Sequence, residues 1–327
     1  LIGILLPALG KAREAAFLMQ SSNIQRQLVL GMNVYATEND QWIPGINTSG
    51  RRFFSGGGNP ADTMDESGSI PVQPMDWMTP SLAGTDLPAN RSARIFTLFE
   101  QYADPAMTQR SAVFGSDAGS IVAEYLQDRT GGELLRHPSF LMSMNWQLFG
   151  AKDSLSIPEA KSDNLNPITQ FTTPRYGELR NIYHLPESYR PRFERVGNPS
   201  RKICISDGFR YIENRNSIVI DVDVTYSGGP WGSFTDRNPL DLASTSWGTG
   251  STRTPQIGWP FSFRHGGRMD AAFFDGHVEV LDKDAARNPA LWAPRGSRFI
   301  GLGGTDTRAY NFAYEPYSRN PDRGIIE

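Results

Sequence analysis

Four histidines are the side chains in this sequence best suited to metal or acid–base chemistry, namely His137, His184, His265 and His277. None of them belongs to a His-Glu-x-x-His run or to a paired Cys/His spacing, so the sequence gives no support for a zinc site. His265 and His277 could approach one another across the base and tip of a hairpin only with help from the preceding loop, so metal ligation by this pair is the less favoured alternative. We therefore expect His265 to form hydrogen bonds that hold such a hairpin, or a neighbouring loop, in register.

Two aspartates, Asp221 and Asp223, are the candidates for a bound cation. They alternate along an apolar run, so both carboxylates lie on the same side of a strand. Their spacing matches no calcium-binding loop, and a solvated strand face explains them more simply. We expect no cofactor, and a structural calcium ion at Asp221 and Asp223 stays open as an alternative.

Two short segments contain residue types that a hydrolase or a phosphate site uses: Ser206-Asp207-Gly208 and the glycines from Gly301 to Gly304. No Gly-x-Ser-x-Gly elbow and no phosphate-loop lysine accompanies them, so we assign no catalytic residue and predict that the chain is not an enzyme. Trp231, Trp247 and Trp259 are able to line a glycan-binding surface, but tryptophan serves equally often in a core or as a loop anchor.

The overall composition narrows the classes of partner. The 327 residues carry a net charge of −3 and contain no Lys/Arg-rich run, which excludes a nucleic-acid partner. Glycine (32) and proline (23) are more frequent than usual, and this favours long loops around a modest regular scaffold. Cys204 has no second cysteine to pair with, and its apolar setting predicts a buried core residue.

The first residues of the chain form an apolar head, residues 1–9. Its members that suit membrane anchoring and assembly are Leu1, Ile2, Ile4, Leu5, Leu6, Pro7 and Leu9. A bilayer span needs about 20 apolar residues, so the head indicates the last part of a span. Because the chain starts with Leu1 rather than Met, we expect it to begin inside a longer precursor. Pro7 is tolerated in such a helix, which it would kink.

A helical seam follows the head after the charges of Lys11, Arg13 and Glu14. Apolar or small residues recur there at alternating steps of four and three, at Phe17, Ser21, Ile24, Leu28, Gly31 and Tyr35. Gln25 falls off this seam, and the helix is expected to end near Asn39–Asp40, before Pro44–Gly45. An ordinary amphipathic helix packed on its own core explains the seam equally well, but not the apolar head joined to it.

Further elements are predicted along the body. Helices are expected over 92–103, with Asn90 or Ser92 as its cap, and around 121–126. Strands are expected over 140–146, 202–206 and 217–226. Near the C-terminus, Asp275-Gly276 separates two apolar runs and predicts a β-hairpin with a two-residue type I′ turn.

Two of these segments resemble a known family. Residues 5–16, LLPALGKAREAA, resemble the second half of the signature helix of type IV pilins and type II secretion pseudopilins. His265, nine intervening residues and Asp275-Gly276 resemble the ending of a large class of pseudopilin-like proteins that carry the pilin helix at their other end. The resemblance implies a prepilin cleavage and methylation segment before Leu1, a transmembrane helix and a role in a filament.

The sequence therefore predicts an α+β fold, in which a long N-terminal pilin-type helix packs on an antiparallel sheet with long loop insertions. Residues 1–40 are expected to form the helix and 41–327 the globular body, in which residues 285–327 have no assigned role. The predicted function is a structural filament subunit that interacts with copies of itself or related pseudopilins, the inner membrane and the assembly machinery. Its body lies in the periplasm or in a cell-surface filament. A membrane-anchored glycan- or ligand-binding protein and an exported hydrolase are the alternatives.

Overall fold

The computed structural model of the chain describes residues 2–45, 65–73, 75–114, 117–132, 134–150, 183–210, 212–214, 217–222, 232–237, 239–240, 258–299 and 325–326. Among the residues discussed above, Leu1, Asp223, Trp231, Trp247 and Gly301 to Gly304 lie outside this description. The side chains of Ile2 to Leu5 and of Trp259 lie outside it as well.

Five helices are described, and the first is by far the longest. They are α1 (Ile2–Glu38), α2 (Met78–Ser81), α3 (Arg91–Glu100), α4 (Asp117–Thr130) and α5 (Gly258–Ser262). The end of α1 agrees with the sequence prediction: the Gln41 N–H donates to the Ala36 carbonyl at 2.7 Å, and Asp40 and Gln41 both have positive φ. At the start of α3, Asn90 is the cap, since its side chain accepts from the Ala93 N–H at 3.0 Å.

Eleven strands are described in the same ranges. They are β1 (Arg110–Phe114), β2 (Leu134–Arg136), β3 (Phe140–Ser143), β4 (Tyr183–His184), β5 (Ile203–Asp207), β6 (Ile212–Asn214), β7 (Ser217–Asp221), β8 (Thr235–Asp236), β9 (Met269–Phe273), β10 (Val278–Leu281) and β11 (Arg298–Phe299). The strands predicted over 140–146, 202–206 and 217–226 correspond to β3, β5 and β7. The predicted strand 140–146 is shorter in the structure, because Met144–Trp146 forms a 3₁₀ turn.

The strands form three sheets, and the fold class α+β is confirmed. The largest has the order β10-β9-β5-β3-β8, a second has the order β2-β1-β7-β6, and β11 pairs with β4. The expectation of an antiparallel sheet holds only in part, because β3 pairs with β8, and β1 with β7, in parallel. Both parallel pairs join strands that are far apart along the chain, as parallel pairing requires.

Helix α1 packs on β9 and β5 near the centre of the large sheet. Its buried face, defined by Ser21, Gln25, Leu28, Val29, Met32 and Ala36, closes the main hydrophobic core. Cys204 of β5 is fully buried in that core, with its Sγ 3.3 Å from the Sδ of Met32. This confirms the prediction for Cys204, and burial raises the pKa of its thiol.

The C-terminal hairpin is present, but its turn differs from the prediction. The Gly276 N–H donates to the Phe273 carbonyl at 2.9 Å, and the Phe273 N–H donates to the His277 carbonyl at 2.9 Å, so the loop has three residues. Gly276 has φ +91°, while Asp275 is absent from the residues with positive φ. A type I′ turn needs positive φ at both positions, so Asp275-Gly276 forms the longer turn with a single left-handed residue.

A two-residue turn of the predicted kind occurs instead at Gly266-Gly267. Both glycines have positive φ, at +62° and +81°. The flanking residues His265 and Arg268 exchange backbone hydrogen bonds of 3.1 and 3.2 Å. A Gly-Gly pair is a known sequence signal for this turn, so the turn at Gly266-Gly267 was predictable from the sequence.

One glycine of α1 allows a close helix contact and yields a stability prediction. A Cβ added at Gly31 would lie 1.9 Å from the backbone carbonyl oxygen of Ser81 in α2. Gly31→Ala should therefore lower the free energy of unfolding by about 1–3 kcal/mol, because the overlap outweighs the helix propensity that alanine adds. Gly10→Ala in the same helix meets nothing within 4 Å, so only the gain in helix propensity acts and stability should rise by up to about 1 kcal/mol. Urea unfolding of both variants compares the effects, and equal stabilities would contradict the close contact.

Candidate functional site

The apolar head extends away from the body of the protein. All side chains from Leu6 to Ala16 are exposed, including Leu6 (64% exposed) and Leu9 (68% exposed). Pro7 lies within α1. Within the part of the chain that the structure describes, no helix combines the length and the apolarity needed to cross a membrane.

The predicted helical seam lies along the margin of the buried face. Ser21 and Leu28 are buried, whereas Phe17, Ile24, Gly31 and Tyr35 are half-buried. The centre of the face is displaced toward Gln25, which the sequence placed off the seam and which is fully buried. Gln25 does lie off the seam, but its burial was not predicted, because apolar spacing alone does not reveal a polar side chain that has buried hydrogen-bond partners.

A second apolar surface of α1 remains uncovered by the described chain. Leu9, Met19, Leu30 and Val34, which we call the exposed stripe, have 68%, 68%, 66% and 52% of their surface accessible. At 100° per residue they project within about 80° of one another, on the side of α1 roughly opposite the buried face. The same arc contains no charged residue, but the exposed polar residues Asn23, Gln27 and Thr37 also project into it.

Beneath the buried face of α1 lies a group of charged side chains, the anchor network: Asp104, Asp207, Arg264, His265 and Asp270. Arg264 is at its centre, with Nε 2.5 Å from Asp104 Oδ2 and a terminal nitrogen 2.7 Å from Asp207 Oδ1. Arg264 also donates to the backbone carbonyls of Ser139, Gly208 and Phe261. One guanidinium thus joins the ends of β3 and β5 to the segment that carries His265.

His265 completes the ion pairs of the network. Its Nε2 lies 2.9 Å from Asp104 Oδ2 and 3.3 Å from Asp207 Oδ2, and its side chain is buried. The predicted structural role of His265 agrees with these contacts, which hold the segment before the Gly266-Gly267 turn. Its Nδ1 is buried without a hydrogen-bond partner among the described residues.

Three polar side chains of α1 connect the helix to this network. Gln25 Nε2 donates to Asp207 Oδ1 at 3.3 Å and to the Asp270 carbonyl at 3.2 Å. Ser22 Oγ donates to Asp270 Oδ2 at 2.7 Å, and Ser21 Oγ lies 3.5 Å from Asp207 Oδ1. The anchor network therefore fixes the rotation of α1 and, with it, the direction in which the exposed stripe faces.

The buried charges alter one another's proton affinity. Burial raises the pKa of Asp207 to about 7, although the Arg264 charge opposes this shift. Burial also acts to raise the pKa of Asp104, but Arg264 and the hydrogen bond from His265 outweigh it and hold that pKa well below its usual range. Burial acts to lower the pKa of His265, but the carboxylates of Asp104 and Asp207 raise it overall. Burial raises the pKa of Asp270.

Three members of the network offer atoms that a metal ion could use. One oxygen each of Asp104 and Asp207 and one nitrogen of His265 lie within 4.8 Å of one another. The Arg264 guanidinium, however, donates to both carboxylates, and it shares Asp104 Oδ2 with His265. A divalent cation at this place would face that buried positive charge, so the residues fit an internal ion-pair network rather than a metal centre.

The other predicted site residues lie elsewhere. His277 is half-exposed at the hairpin, where Nδ1 is 2.6 Å from Asp275 Oδ1, and it has different partners from His265. Asp221, the described member of the calcium pair, is buried at the end of β7. Asp207, from the segment that suggested a hydrolase, belongs to the anchor network.

Three network residues, Asp104, Arg264 and Asp270, and the helix residue Gln25 that contacts the network were not assigned by the sequence. Arg264 directly precedes His265 in the motif, which was the available signal for it. Nothing local marks Asp104 or Asp270, because Asp104 pairs with Arg264, 160 positions away, and Asp270 contacts Asp207, 63 positions away.

Comparison with known proteins gives no match among family models, curated proteins or solved structures.

Proposed function

We propose that this chain is a structural subunit of a filament of the type IV pilin or type II secretion pseudopilin kind. In this proposal, α1 packs against the α1 helices of neighbouring copies. The observation that carries the proposal is the exposed stripe, four large exposed apolar side chains on an arc without charged residues, opposite the buried face of the same helix. A helix with apolar residues on both faces is normally buried on both.

The distribution of exposed apolar residues supports a helix-specific role. Nine large hydrophobic side chains are exposed among the described residues, and five of them belong to α1: Leu6, Leu9, Met19, Leu30 and Val34. Single exposed apolar residues are common on soluble proteins, but an aligned set marks an interaction surface. Packing against another copy would remove this apolar surface from water, which lowers the free energy of the assembled state.

The arrangement within one subunit would be pilin-type. The C-terminal part of α1 packs on the sheet through its buried face, and residues 6–16 project from the body. The proposal includes long loop insertions between the elements, which the glycine and proline content favours. The finer resemblance to pilins continues to depend on residues 5–16 and on the His265 to Gly276 motif.

The proposal also includes the setting in which such a subunit acts. The head, residues 1–9, would enter the inner membrane before assembly, with the body in the periplasm, and would then pack in the filament core. Copies of the chain or related pseudopilins and the secretion or pilus assembly machinery are the partners.

Cross-linking between copies tests the proposed packing. Val34→Cys places a thiol on the exposed stripe, and the native Cys204 is fully buried and does not compete. In cells that produce the full-length precursor, a short bis-maleimide should join Val34→Cys subunits to one another. Ile121→Cys, at an exposed apolar position of α4, is the matched control and should give no such product.

A charge on the stripe supplies the second half of this test. Leu30→Lys should prevent assembly because it places an ammonium group in the proposed helix–helix contact, where burial of a charge is costly. The melting temperature of the isolated subunit should stay unchanged, since Leu30 is 66% exposed. Exported protein that shows no Val34→Cys product, or that assembles normally as Leu30→Lys, would rule out the filament role.

A further inference from the structure

A surface cavity lies on the body, and no residue of α1 is among those that line it. It has a volume of about 320 Å³ and is lined by residues of the 186–197 segment and by Arg295. The lining includes two arginines, Arg195 and Arg295, and a single carboxylate, Glu194. Its volume is at the lower end of the range of small-molecule sites, so it suits a ligand smaller than a dinucleotide.

Further cations stand close to this cavity. A Cβ added at Gly197 would lie 3.0 Å from Arg295 Cβ and 3.3 Å from Lys202 Cε, so these two cationic side chains flank the lining glycine. Arg201 and Arg295 both act on the charge of Lys202. Two arginines, Arg195 and Arg295, therefore line the cavity, and Lys202 lies beside its glycine.

The positive charge of this group is only partly balanced. Glu194 is shared between Arg195, at 3.6 Å, and Arg192, at 3.9 Å. The guanidinium of Arg295 forms no hydrogen bond or ion pair within the described residues. Burial, with the nearby charges of Arg201 and Arg295, lowers the pKa of Lys202 to about 8, as expected in a locally positive field.

We propose that this cavity binds a small ligand bearing a phosphate or sulfate group, held mainly by Arg295 and Arg195. A guanidinium donates two parallel hydrogen bonds to such an oxyanion, and the basic neighbours add long-range attraction. The Lys202 ammonium donates to the Ala290 carbonyl at 2.8 Å. It therefore attracts the anion through its charge and is not expected to donate a hydrogen bond to it. This binding role goes beyond the proposed filament function and does not depend on it.

Titration calorimetry on the full chain tests the site. Sodium phosphate and sodium sulfate are titrated at constant ionic strength against a sodium chloride background, and at least one should bind saturably. Arg295→Gln should weaken that binding at least about tenfold, because it removes a charge-assisted contact. Arg268→Gln, at an exposed arginine beside the Gly266-Gly267 turn, should leave it unchanged.

A vesicle arm identifies the source of the anionic group. Sedimentation with phosphatidylglycerol vesicles but not with phosphatidylcholine vesicles, lost in Arg295→Gln, assigns a lipid phosphate. Binding of the free anions without sedimentation assigns a soluble ligand. The absence of any response in both arms, or equal loss in Arg295→Gln and Arg268→Gln, overturns the site. Cross-linking through Val34→Cys should be the same with and without Arg295→Gln, so failure of this site is distinguishable from failure of the filament role.

Discussion

Replacing Arg264 with methionine should lower the free energy of unfolding by about 3–5 kcal/mol. The guanidinium is almost fully buried and pairs with Asp104 and Asp207, whose side chains are also buried. Methionine fills similar volume but leaves two buried carboxylates facing each other without their main counter-charge. Chemical denaturation measures the change.

An exposed ion pair provides the matched control for this result. Arg110→Met removes the pair between Arg110 and Glu100, which is 2.6 Å long but partly exposed to solvent. Solvent screens this pair, so its loss should cost at most about 1 kcal/mol. Equal effects of Arg264→Met and Arg110→Met would contradict a central role for Arg264.

A double variant separates the ion pair from simple loss of packing. Asp207→Asn in the Arg264→Met background removes one of the two uncompensated charges, so it should recover part of the lost stability. If instead the effects of Arg264→Met and Asp207→Asn simply add, the two side chains are not energetically coupled.

The second large effect is a fall in stability of about 1–2 kcal/mol between about pH 6.5 and pH 8. The pKa of Asp207 is raised from 3.8 to about 7, so its contribution is lost as the pH rises from about 3.8 through 7, and only the last part of this loss lies above pH 6.5. The pKa of His265 is raised above 6.5 by Asp104 and Asp207, so its contribution is complete below pH 6.5 and is lost as the pH rises through the folded value. Both groups therefore lower stability as the pH increases.

Two other groups oppose this fall: His137 below pH 6.5, where Asp207 also titrates, and Lys202 above pH 8. The pKa of His137 is lowered from 6.5 to about 4 by burial, so its contribution rises with pH between those values. The pKa of Lys202 is lowered from 10.5 to about 8, which makes its contribution increase above pH 8. Between about pH 6.5 and pH 8, titration of the anchor network dominates the change in stability. In this network Asp207 and His265 face Asp104, Arg264 and Asp270.

Unfolding measured at several pH values checks this prediction. Asp207→Asn should reduce the fall in stability between pH 6.5 and pH 8, because it removes one of the groups that bind the additional proton. His277→Asn, at a half-exposed histidine outside the network, should keep the wild-type slope. An unchanged slope in Asp207→Asn would show that protonation of the anchor network does not control stability in this range.

The network matters for the proposed filament because it orients α1. Gln25 and Ser22 attach the helix to Asp207 and Asp270, and this attachment directs the exposed stripe away from the sheet. A weakened network would be expected to disturb assembly through the position of α1 even though its members do not belong to the proposed contact.

Local signals in the sequence were sufficient for several elements. Residues within a few positions of one another were enough to predict four features. These are the course and end of α1, the Asn90 cap, the burial of Cys204 and the location of the C-terminal hairpin. Helix periodicity, capping and turn chemistry act over one or two turns of chain, so a single sequence displays them directly.

Tertiary structure alone decided which polar residues are buried and what they contact. Gln25 is an unremarkable helix residue in the sequence, yet its partner Asp207 is 182 positions away. Asp104 and Arg264 are 160 positions apart and meet only because the order of strands in the large sheet and the path of the following segments bring them together. Sheet order and register depend on the packing of the whole core, and a buried charge is stable only where that packing also supplies its partner.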